Sequence, residues 1–383
     1  MPFHRSKVIQ IPSVPSRMLK IVEKSRESHL INRDELLYLF SLKKPAEILL
    51  LIETANNVRE MLKGNQASFV INRNINFTNV CSRNCHFCEF SVPSSHPTAF
   101  LLSFNEIEEK LNETLEMNAT EVCIQGGINP KVDFEYYLQI LDTVRSVAPN
   151  LHIHAFSPEE IRYMVQQSQL PLTEVLTVLK REGLGSMPGT AAEILVEDIR
   201  KQICPRKLSV NEWTHIITTA HKLRIPTSAT MMYGHIETPQ DIVDHLITIK
   251  EIQRNTRSFT EFVPLSFIHQ KTALYRKYNA RPGASGLEDI KVHAIARLFF
   301  GDILPNIQAS WVKLGFKLAQ FMLCAGVNDL GGTIYEENIS RAARGEKGEV
   351  YASPEQLATL IKECGFIPHQ RDTLYSHFVE WSN

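Results

Sequence analysis

Three cysteines stand close together in the stretch NFTNVCSRNCHFCEFS, residues 76–91. Cys81, Cys85 and Cys88 have the spacing C-x3-C-x2-C, and the rest of the chain's seven cysteines are isolated. A structural zinc site takes four ligands, commonly in two closely spaced pairs, and the sequence has no second pair. A cubane 4Fe–4S cluster normally takes four thiolates, so three thiolates leave one iron with an open coordination site. The spacing therefore predicts a reactive metal centre whose fourth ligand is a substrate or cofactor.

The composition is that of a globular protein with balanced charge. The 383 residues include 41 basic and 42 acidic side chains, which gives a net charge of −1. Nucleic-acid binding by counterion release requires a strongly basic face, so we expect no nucleic-acid partner. The longest aliphatic run, Ile48 to Ile52, is too short to cross a bilayer, and residues 1–17 lack the apolar core of a signal peptide. We therefore predict a cytoplasmic protein without a membrane partner, whose clustered thiols serve metal or redox chemistry.

Strand-like apolar segments alternate with helices along most of the chain. In a capping box, a Ser or Thr and a Glu or Gln three positions later satisfy each other's backbone N–H groups. The sequence predicts such helix starts at Ser103/Glu106, Ser157/Glu160, Thr190/Glu193, Ser209/Glu212 and Ser353/Gln356. The predicted strands are residues 71–78, 121–125, 151–156, 183–187, 226–233, 260–265, 306–311 and 326–330. Eight strands that alternate with helices favour an α/β fold of the closed (β/α)8 type over a sandwich.

Three parts are expected along the chain. Residues 1–69 form a helical N-terminal extension, residues 70–335 form the barrel, and residues 336–383 form a C-terminal helical segment packed on it. In such barrels the chemistry takes place in the loops that follow the strands. The three cysteines directly follow the first predicted strand, so we expect them at the catalytic rim.

The cysteine spacing, with aromatic Phe87 just before the last cysteine, resembles the signature of the radical S-adenosylmethionine (SAM) enzymes. The blocks CIQGG, MPGTAAEIL, TSATMMYGHIET, NIQASWVKLG and AGVNDLGGT resemble the CofH subunit family of FO synthase over roughly residues 70–375. This resemblance implies a 4Fe–4S cluster held by the three cysteines, which the family uses for catalysis, and SAM bound at its unique iron. It also implies a (β/α)8 radical SAM barrel.

The resemblance further implies the transfer of the 4-hydroxybenzyl group of L-tyrosine to 5-amino-6-(D-ribitylamino)uracil, in the biosynthesis of the deazaflavin coenzyme F0. A 5′-deoxyadenosyl radical would abstract hydrogen from tyrosine, whose Cα–Cβ bond then breaks. The glycine part would leave as an imine while the benzyl fragment adds to C5 of the uracil. The implied partners are the CofG subunit of FO synthase and an electron donor such as a ferredoxin or flavodoxin.

Several polar and glycine residues are candidate cofactor-binding residues. In the family a Gly-Gly pair such as Gly126–Gly127 meets the amino group of SAM, an aromatic residue such as Phe87 contacts adenine, and a glutamate such as Glu193 binds the cofactor. A plain turn, a core aromatic residue and a capping box explain the same residues without a ligand. Ser157 begins a helix whose free N–H groups suit an anion, although its capping box is a sufficient structural explanation.

Further candidates lie on or near predicted strands. His154 faces the same side of its strand as His152, and it contacts SAM or tyrosine if that side is the lumen. Tyr233 and His235 flank a glycine at a strand end, where they suit hydrogen bonds to substrate; a satisfied core histidine is an equal alternative. The amides of Gln308 and Asn328 match the donors and acceptors of a pyrimidine edge.

Two other functions stay open at this point. Aminofutalosine synthase and dehypoxanthine futalosine cyclase, radical SAM enzymes of the menaquinone route, share several of the blocks but usually differ around TEFVPLSFIH, residues 260–269. In a third reading, of another class, the chain is a non-catalytic barrel whose thiols hold structural zinc.

Overall fold

The computed structural model describes residues 15–25, 31–336, 338–344 and 351–382. The helices are α1 (Ser16–Lys24), α2 (Arg33–Ser41), α3 (Pro45–Lys63), α4 (Phe104–Glu116), α5 (Phe134–Val147), α6 (Pro158–Ser168), α7 (Leu172–Arg181), α8 (Glu197–Ile203), α9 (Val210–Lys222), α10 (Pro239–Thr256), α11 (Ala273–Lys277), α12 (Gly286–Phe300), α13 (Trp311–Leu314), α14 (Phe316–Leu323), α15 (Ile339–Arg344) and α16 (Pro354–Glu363). The strands are β1 (Gln66–Val70), β2 (Asn72–Ile75), β3 (Glu121–Ile124), β4 (His152–Ala155), β5 (Thr227–Tyr233), β6 (Phe259–Ser266), β7 (Asp329–Gly332), β8 (Ile367–Arg371) and β9 (Phe378–Glu380).

The strands close into a parallel barrel. Strands β2, β3 and β4 pair in parallel, and so do β5 and β6. Single parallel bridges complete the ring between these sheets and β7, at His154–Ser186, Met187–Thr227, Phe262–Ile307, Gln308–Asp329 and Arg73–Tyr335. The first barrel strand is the nearly continuous pair β1 and β2. The predicted eight-stranded barrel is therefore confirmed.

Most predicted strands are shorter in the structure than in the sequence pattern, and residues 71–78 are reduced to β2. Residues 183–187 are reduced to the bridges at Ser186 and Met187, because Gly183 has a φ of 108° that ends the extended backbone there. Residues 306–311 are paired only at Ile307 and Gln308, and α13 begins at Trp311. The glycine-containing segment 326–330 pairs from Asp329 onward, since Gly326 also has a positive φ of 98°.

The described part of the N-terminal extension is helical up to Lys63, and its last residues belong to strand β1. Helix α2 begins at a capping box between Asn32 and Glu35. The Lys291 ammonium group of α12 donates to the carbonyl oxygens of Phe40 at 2.8 Å and Leu42 at 3.2 Å, at the end of α2. Arg33 forms a 2.8 Å salt bridge with Asp244 of α10. The extension therefore covers the outer face of the barrel helices.

The C-terminal segment contains strands as well as the predicted helices α15 and α16. Strand β8 runs parallel to β1, and β9 pairs antiparallel with β8. The buried Arg371 guanidinium at the end of β8 lies 2.6 Å from the Asp329 carboxylate of β7. This ion pair compensates the charge of both residues and gives β8 a fixed register on the barrel. The helical pattern of residues 354–363 did not indicate the strand that follows it.

The helix starts follow the predicted capping boxes at Ser103, Ser157 and Ser209. Ser353 also caps α16 through the Gln356 N–H. The box predicted at Thr190 is wrong, because the next helix begins only at Glu197. Ala191 and Glu193 have φ values of 62° and 46°, which a right-handed helix does not accommodate. Within the described residues, no helix combines the length and apolar character needed to cross a membrane.

Candidate active site

A cavity opens at the carboxyl ends of the barrel strands. Its walls come from the loops after β2, β3 and β4, from residues 190–193 and from the ends of β5 and β6. Polar and sulfur groups among the lining residues include the thiols of Cys81, Cys85 and Cys88. The cavity thus lies at the end of the barrel where such folds carry out chemistry.

The cysteine loop is fixed by backbone hydrogen bonds to its surroundings. The Cys81 N–H donates to the Val92 carbonyl at 3.1 Å, and the His86 N–H donates to the Ile203 carbonyl at 2.9 Å. Asn84 has a φ of 51°, a left-handed conformation that asparagine tolerates better than most residues. The sequence C-S-R-N-C therefore turns sharply between the first two thiols. All three thiols are free.

Burial disfavours the thiolate form of Cys85 and Cys88. Burial raises the pKa of Cys85 well above its ordinary value and raises the pKa of Cys88. Iron binding must therefore displace the thiol protons. Among the described residues, no group of three or more His, Cys, Asp or Glu side chains has the geometry to hold one metal ion. A cubane 4Fe–4S cluster does not require the three thiols to meet at one metal ion, because each thiolate binds a different iron. Three thiols are therefore a suitable set of ligands for such a cluster.

Gly126 and Gly127 pack against the cysteine loop more closely than any other residue type allows. A Cβ atom on Gly127 would lie 2.3 Å from the Val80 carbonyl oxygen and 2.9 Å from the Cys81 Cβ. A Cβ atom on Gly126 would lie 2.5 Å from the Phe77 ring. Both positions thus require glycine for close approach to the loop.

Glu160 connects this glycine pair to helix α6. Its Oε1 accepts the Gly126 N–H at 3.0 Å, and its Oε2 accepts the Ser157 N–H at 2.7 Å. Burial raises the pKa of Glu160 to about 7, although hydrogen bonds from Ser157 and Gly126 oppose this shift. Ser157 lines the cavity, and its side chain caps the N-terminus of α6.

Lys207 is a cation in the cavity that the sequence analysis did not identify. Its ammonium group lies 2.6 Å from the Glu193 carboxylate and 5.3 Å from the centre of the Phe87 ring. Burial lowers the pKa of Lys207, but Glu193 and the neighbouring thiols more than offset this, so its pKa is raised. Lys207 thus carries its charge inside the cavity. It follows α8 without any motif around it, and only the fold brings it to Phe87 and Glu193.

Asn76 places an unpaired oxygen at the cavity wall. The side-chain amide group donates to the Gln125 carbonyl at 3.1 Å, which fixes the orientation of the side chain. Its Oδ1 is buried and has no hydrogen-bond partner among the described residues. A buried acceptor without a partner costs about 1–3 kcal/mol, so this oxygen favours a donor from a ligand. Asparagine is common before loops, and nothing in the sequence marked this residue.

Three of the predicted cofactor-binding residues lie outside the cavity wall and have polar partners. The His154 Nδ1 lies 2.7 Å from the Ser186 hydroxyl, and burial lowers the pKa of His154 to about 4. The Tyr233 hydroxyl donates to the Asp289 carboxylate at 2.7 Å. The His235 ring is fully buried between the Met232 carbonyl and the Ile236 N–H. A ligand role for each stays a prediction.

Gln308 and Asn328 also lie outside the cavity, in the barrel wall. The Asn328 Oδ1 accepts from the Arg297 guanidinium at 2.7 Å and from the Ile307 N–H at 2.9 Å. The Gln308 amide packs so closely on Gly331 that a Cβ there would lie 2.5 Å from it. The structure therefore brings Phe87, Gly126, Gly127, Ser157 and Glu193 together with the cysteines, and leaves these two apart.

Two family profiles match consecutive parts of the chain. The Radical SAM superfamily profile matches residues 75–249, and the profile of the CofH/MqnC C-terminal region matches residues 256–382. The first match contains the cysteine loop and the glycine pair. The second contains β6 and the strands of the C-terminal segment.

Curated relatives resemble the chain over most of its length. The protein named 5-amino-6-(D-ribitylamino)uracil--L-tyrosine 4-hydroxyphenyl transferase from Methanopyrus kandleri is 52% identical, over 85% of this chain and 88% of its own. The chain belongs to this transferase family. Members from Methanothermobacter thermautotrophicus and Methanocaldococcus jannaschii are 46% and 49% identical, over 95% and 85% of this chain and 98% and 91% of their own.

Solved structures share the fold of this transferase family member. Methylornithine synthase (PylB) superposes with a TM-score of 0.73 at 16% identity, over 91% of this chain and 97% of its own. HydG, a maturase of the FeFe-hydrogenase, gives 0.73 at 14% identity, over 95% of this chain and 78% of its own. These structures show the same barrel fold, and the profile match over residues 75–249 identifies it as a radical SAM barrel. As a radical SAM enzyme it uses a 4Fe–4S cluster and SAM.

Proposed function

We propose that this protein transfers the 4-hydroxybenzyl group of L-tyrosine to 5-amino-6-(D-ribitylamino)uracil in the biosynthesis of coenzyme F0. The observation that carries the proposal is the cavity itself, in which three free thiols, a glycine pair and a buried cation meet at the catalytic end of the barrel. The curated relatives are named for this reaction, and two of them match 85% and 95% of this chain.

Cys81, Cys85 and Cys88 are the residues that hold the cluster in this proposal. When bound, the cluster supplies the electron that splits SAM into methionine and a 5′-deoxyadenosyl radical. The protein fixes the three thiols through the loop hydrogen bonds and supplies binding and orientation. Three protein thiols would leave one iron of the cluster free to bind SAM.

The glycine pair supplies acceptors for the amino group of SAM. The Gly126 N–H is taken by Glu160, and the Gly127 N–H donates to the Thr78 carbonyl at 3.0 Å. Neither glycine carbonyl accepts a hydrogen bond from another described residue. An ammonium group has donors only, so these two free carbonyl oxygens match it. Phe87, on the cysteine loop, offers a ring face to adenine.

Lys207 and Asn76 serve the polar groups of the substrates. Lys207 is the cation for a carboxylate, which both SAM and tyrosine carry, and Glu193 holds the ammonium group in place. The Asn76 Oδ1 accepts from an amino group of tyrosine or of the ribitylaminouracil. Gln125 is oriented beside it by its 2.8 Å hydrogen bond to the Thr190 hydroxyl.

The product is passed to a CofG-type subunit, which closes the deazaflavin ring, and a ferredoxin or flavodoxin provides the electrons. We place these steps in the cytoplasm, where a protein with seven free cysteines remains reduced.

An anaerobic turnover assay tests the proposal. The reconstituted protein is incubated with SAM, dithionite, L-tyrosine and 5-amino-6-(D-ribitylamino)uracil, and products are measured by mass spectrometry. We expect tyrosine-dependent 5′-deoxyadenosine together with the benzyl-uracil adduct. Turnover only with a futalosine-type substrate instead indicates a menaquinone-route enzyme. A colourless protein that retains stoichiometric zinc indicates the non-catalytic barrel.

A further inference from the structure

A segment that follows β6, residues 269–282, forms the outer wall of the cysteine loop. The Leu274 N–H in this segment donates to the His86 carbonyl at 2.6 Å. The Tyr278 ring stacks on the His86 ring with 4.0 Å between centroids and 8° between planes. His86 stands between Cys85 and Cys88, so this segment packs directly on the cysteine loop.

The same segment is strongly basic, whereas the chain as a whole carries a net charge of −1. It contains four basic residues and no acidic residue, and all four are exposed: Lys271, Arg276, Lys277 and Arg281. Glu237 and Glu288 pair with Arg281, but Lys271, Arg276 and Lys277 form no salt bridge among the described residues. Three of the four basic side chains therefore have no acidic partner among the described residues.

Exposed aromatic rings lie among these charges. Tyr275 and Tyr278 are 40% and 49% exposed, even though they contact the rings of His269 and His86. Tyrosine and arginine are both enriched at protein-binding faces. Positive charge selects a negatively charged partner and steers its approach.

We propose that residues 269–282 are the docking surface for an acidic protein that carries one electron. This inference rests on the proposed function, in which each turnover begins with the reductive cleavage of SAM. One electron leaves the reduced carrier and enters the cluster, so the carrier is oxidised by one electron and the cluster is reduced by one. No bond forms or breaks in this step. Because electron transfer slows steeply with distance, the carrier must approach the cysteine loop, and the Tyr278–His86 stack provides that approach.

The test measures the affinity of the anaerobically reconstituted protein for an acidic ferredoxin. The variant Arg276→Glu/Lys277→Glu reverses two exposed charges outside the cavity. We expect it to raise the Kd about tenfold at low ionic strength, and we expect added salt to weaken the wild-type complex. The neutral variant Arg276→Gln/Lys277→Gln should give an intermediate Kd.

The matched control is Lys222→Glu/Lys362→Glu, which reverses two exposed lysines in the last turns of α9 and α16. Each lies just before the start of a strand, at the end of the barrel opposite the cysteines. This control should leave the Kd unchanged. The proposal would be overturned by an equal loss of affinity in the control or by no loss of affinity in the docking variants. A wild-type affinity that does not depend on salt would also overturn it.

Turnover separates this proposal from the proposed function. Dithionite needs no docking surface, so 5′-deoxyadenosine formation with dithionite should be equal in the wild type and the docking variants. Formation driven by ferredoxin should fall in the docking variants alone. If the wild type shows no tyrosine-dependent turnover with dithionite, the proposed function is wrong. The measured Kd for ferredoxin still tests the docking surface in that case. If charge reversal weakens binding of a CofG-type subunit and not of ferredoxin, this surface binds the CofG-type subunit, and the proposal is overturned.

Discussion

The Glu160 carboxylate accepts the Gly126 N–H at 3.0 Å, so one buried side chain joins the cap of α6 to the glycine pair. Its second oxygen completes the capping box with Ser157. A capping box needs only one of the two oxygens, and the other determines where the Gly126–Gly127 peptide lies. The position of the glycine pair at the cavity wall therefore depends on a residue of the neighbouring helix.

The variant Glu160→Gln should weaken SAM binding roughly fivefold, as expected for the loss of one hydrogen bond. Glutamine keeps the capping box but has a single acceptor oxygen, so the Gly126 N–H loses its partner. Equilibrium binding of SAM to the reconstituted protein measures the effect. The control is Glu106→Gln, whose box with Ser103 caps α4 outside the cavity. Equal SAM affinity in both variants contradicts a positioning role for Glu160.

The variant Gly127→Ala should lose iron. The added Cβ meets the Val80 carbonyl oxygen and the Cys81 Cβ, so the cysteine loop has to shift, at a cost of about 1–3 kcal/mol. Iron content per chain and the thermal midpoint measure the effect. Gly286→Ala is the control, because its Cβ would meet only the Leu318 Cδ2 at 4.0 Å. Full iron content in Gly127→Ala shows that close packing against the loop is not required.

The variant Lys207→Met should raise the KM of SAM or of tyrosine at least tenfold, in the range expected for a hydrogen bond to a charged group, about 1.5–3 kcal/mol. Methionine keeps the apolar stem and removes the charge that faces the carboxylate. The ligand whose KM changes is the one whose carboxylate Lys207 binds. Lys201→Met, an exposed lysine on α8, should change neither KM. Unchanged KM values for both ligands in Lys207→Met exclude this role.

His221 should make the protein less stable in acid. Burial lowers the pKa of His221 to about 4 from its ordinary 6.5. The unfolded chain therefore takes up a proton before the folded protein does. Stability is complete above pH 6.5 and is lost as the pH falls toward 4.

The thermal midpoint between pH 7 and pH 4 measures this contribution, and His221→Gln should flatten its decline. His215→Gln is the control, because His215 is exposed on the same helix α9. The same pH dependence in His221→Gln and the wild type rules out His221 as a source of the acid sensitivity. Other buried histidines, such as His293, contribute to the part that remains.

The parts of the site that could be predicted from the sequence are those whose residues lie close together in the chain. Cys81, Cys85 and Cys88 share one loop, and strand periodicity was sufficient to place that loop at the rim of a barrel. Lys207 could not be predicted in this way, since it follows α8 and only the fold brings its ammonium group to Glu193 and Phe87. The long-range contact, not the local sequence, makes it part of the cavity.

Local patterns also indicated features that the fold overrides. Thr190 and Glu193 have the spacing of a capping box, yet the loop that carries them adopts left-handed backbone conformations and Glu193 pairs with Lys207 instead. Tyr233 has the residue type and position of a substrate contact. Its hydroxyl is taken by Asp289 of α12, and periodicity alone cannot identify such a partner.

The most direct test of the account is whether SAM binds to a cluster that the three thiols hold. The measurement is the iron and sulfide content of the anaerobically reconstituted protein, with the electron paramagnetic resonance spectrum of the reduced protein before and after SAM is added. The account predicts about four irons per chain, a change in the spectrum on addition of SAM, and loss of both in Cys85→Ala. A cluster whose spectrum is unaffected by SAM, or that persists in Cys85→Ala, would contradict it.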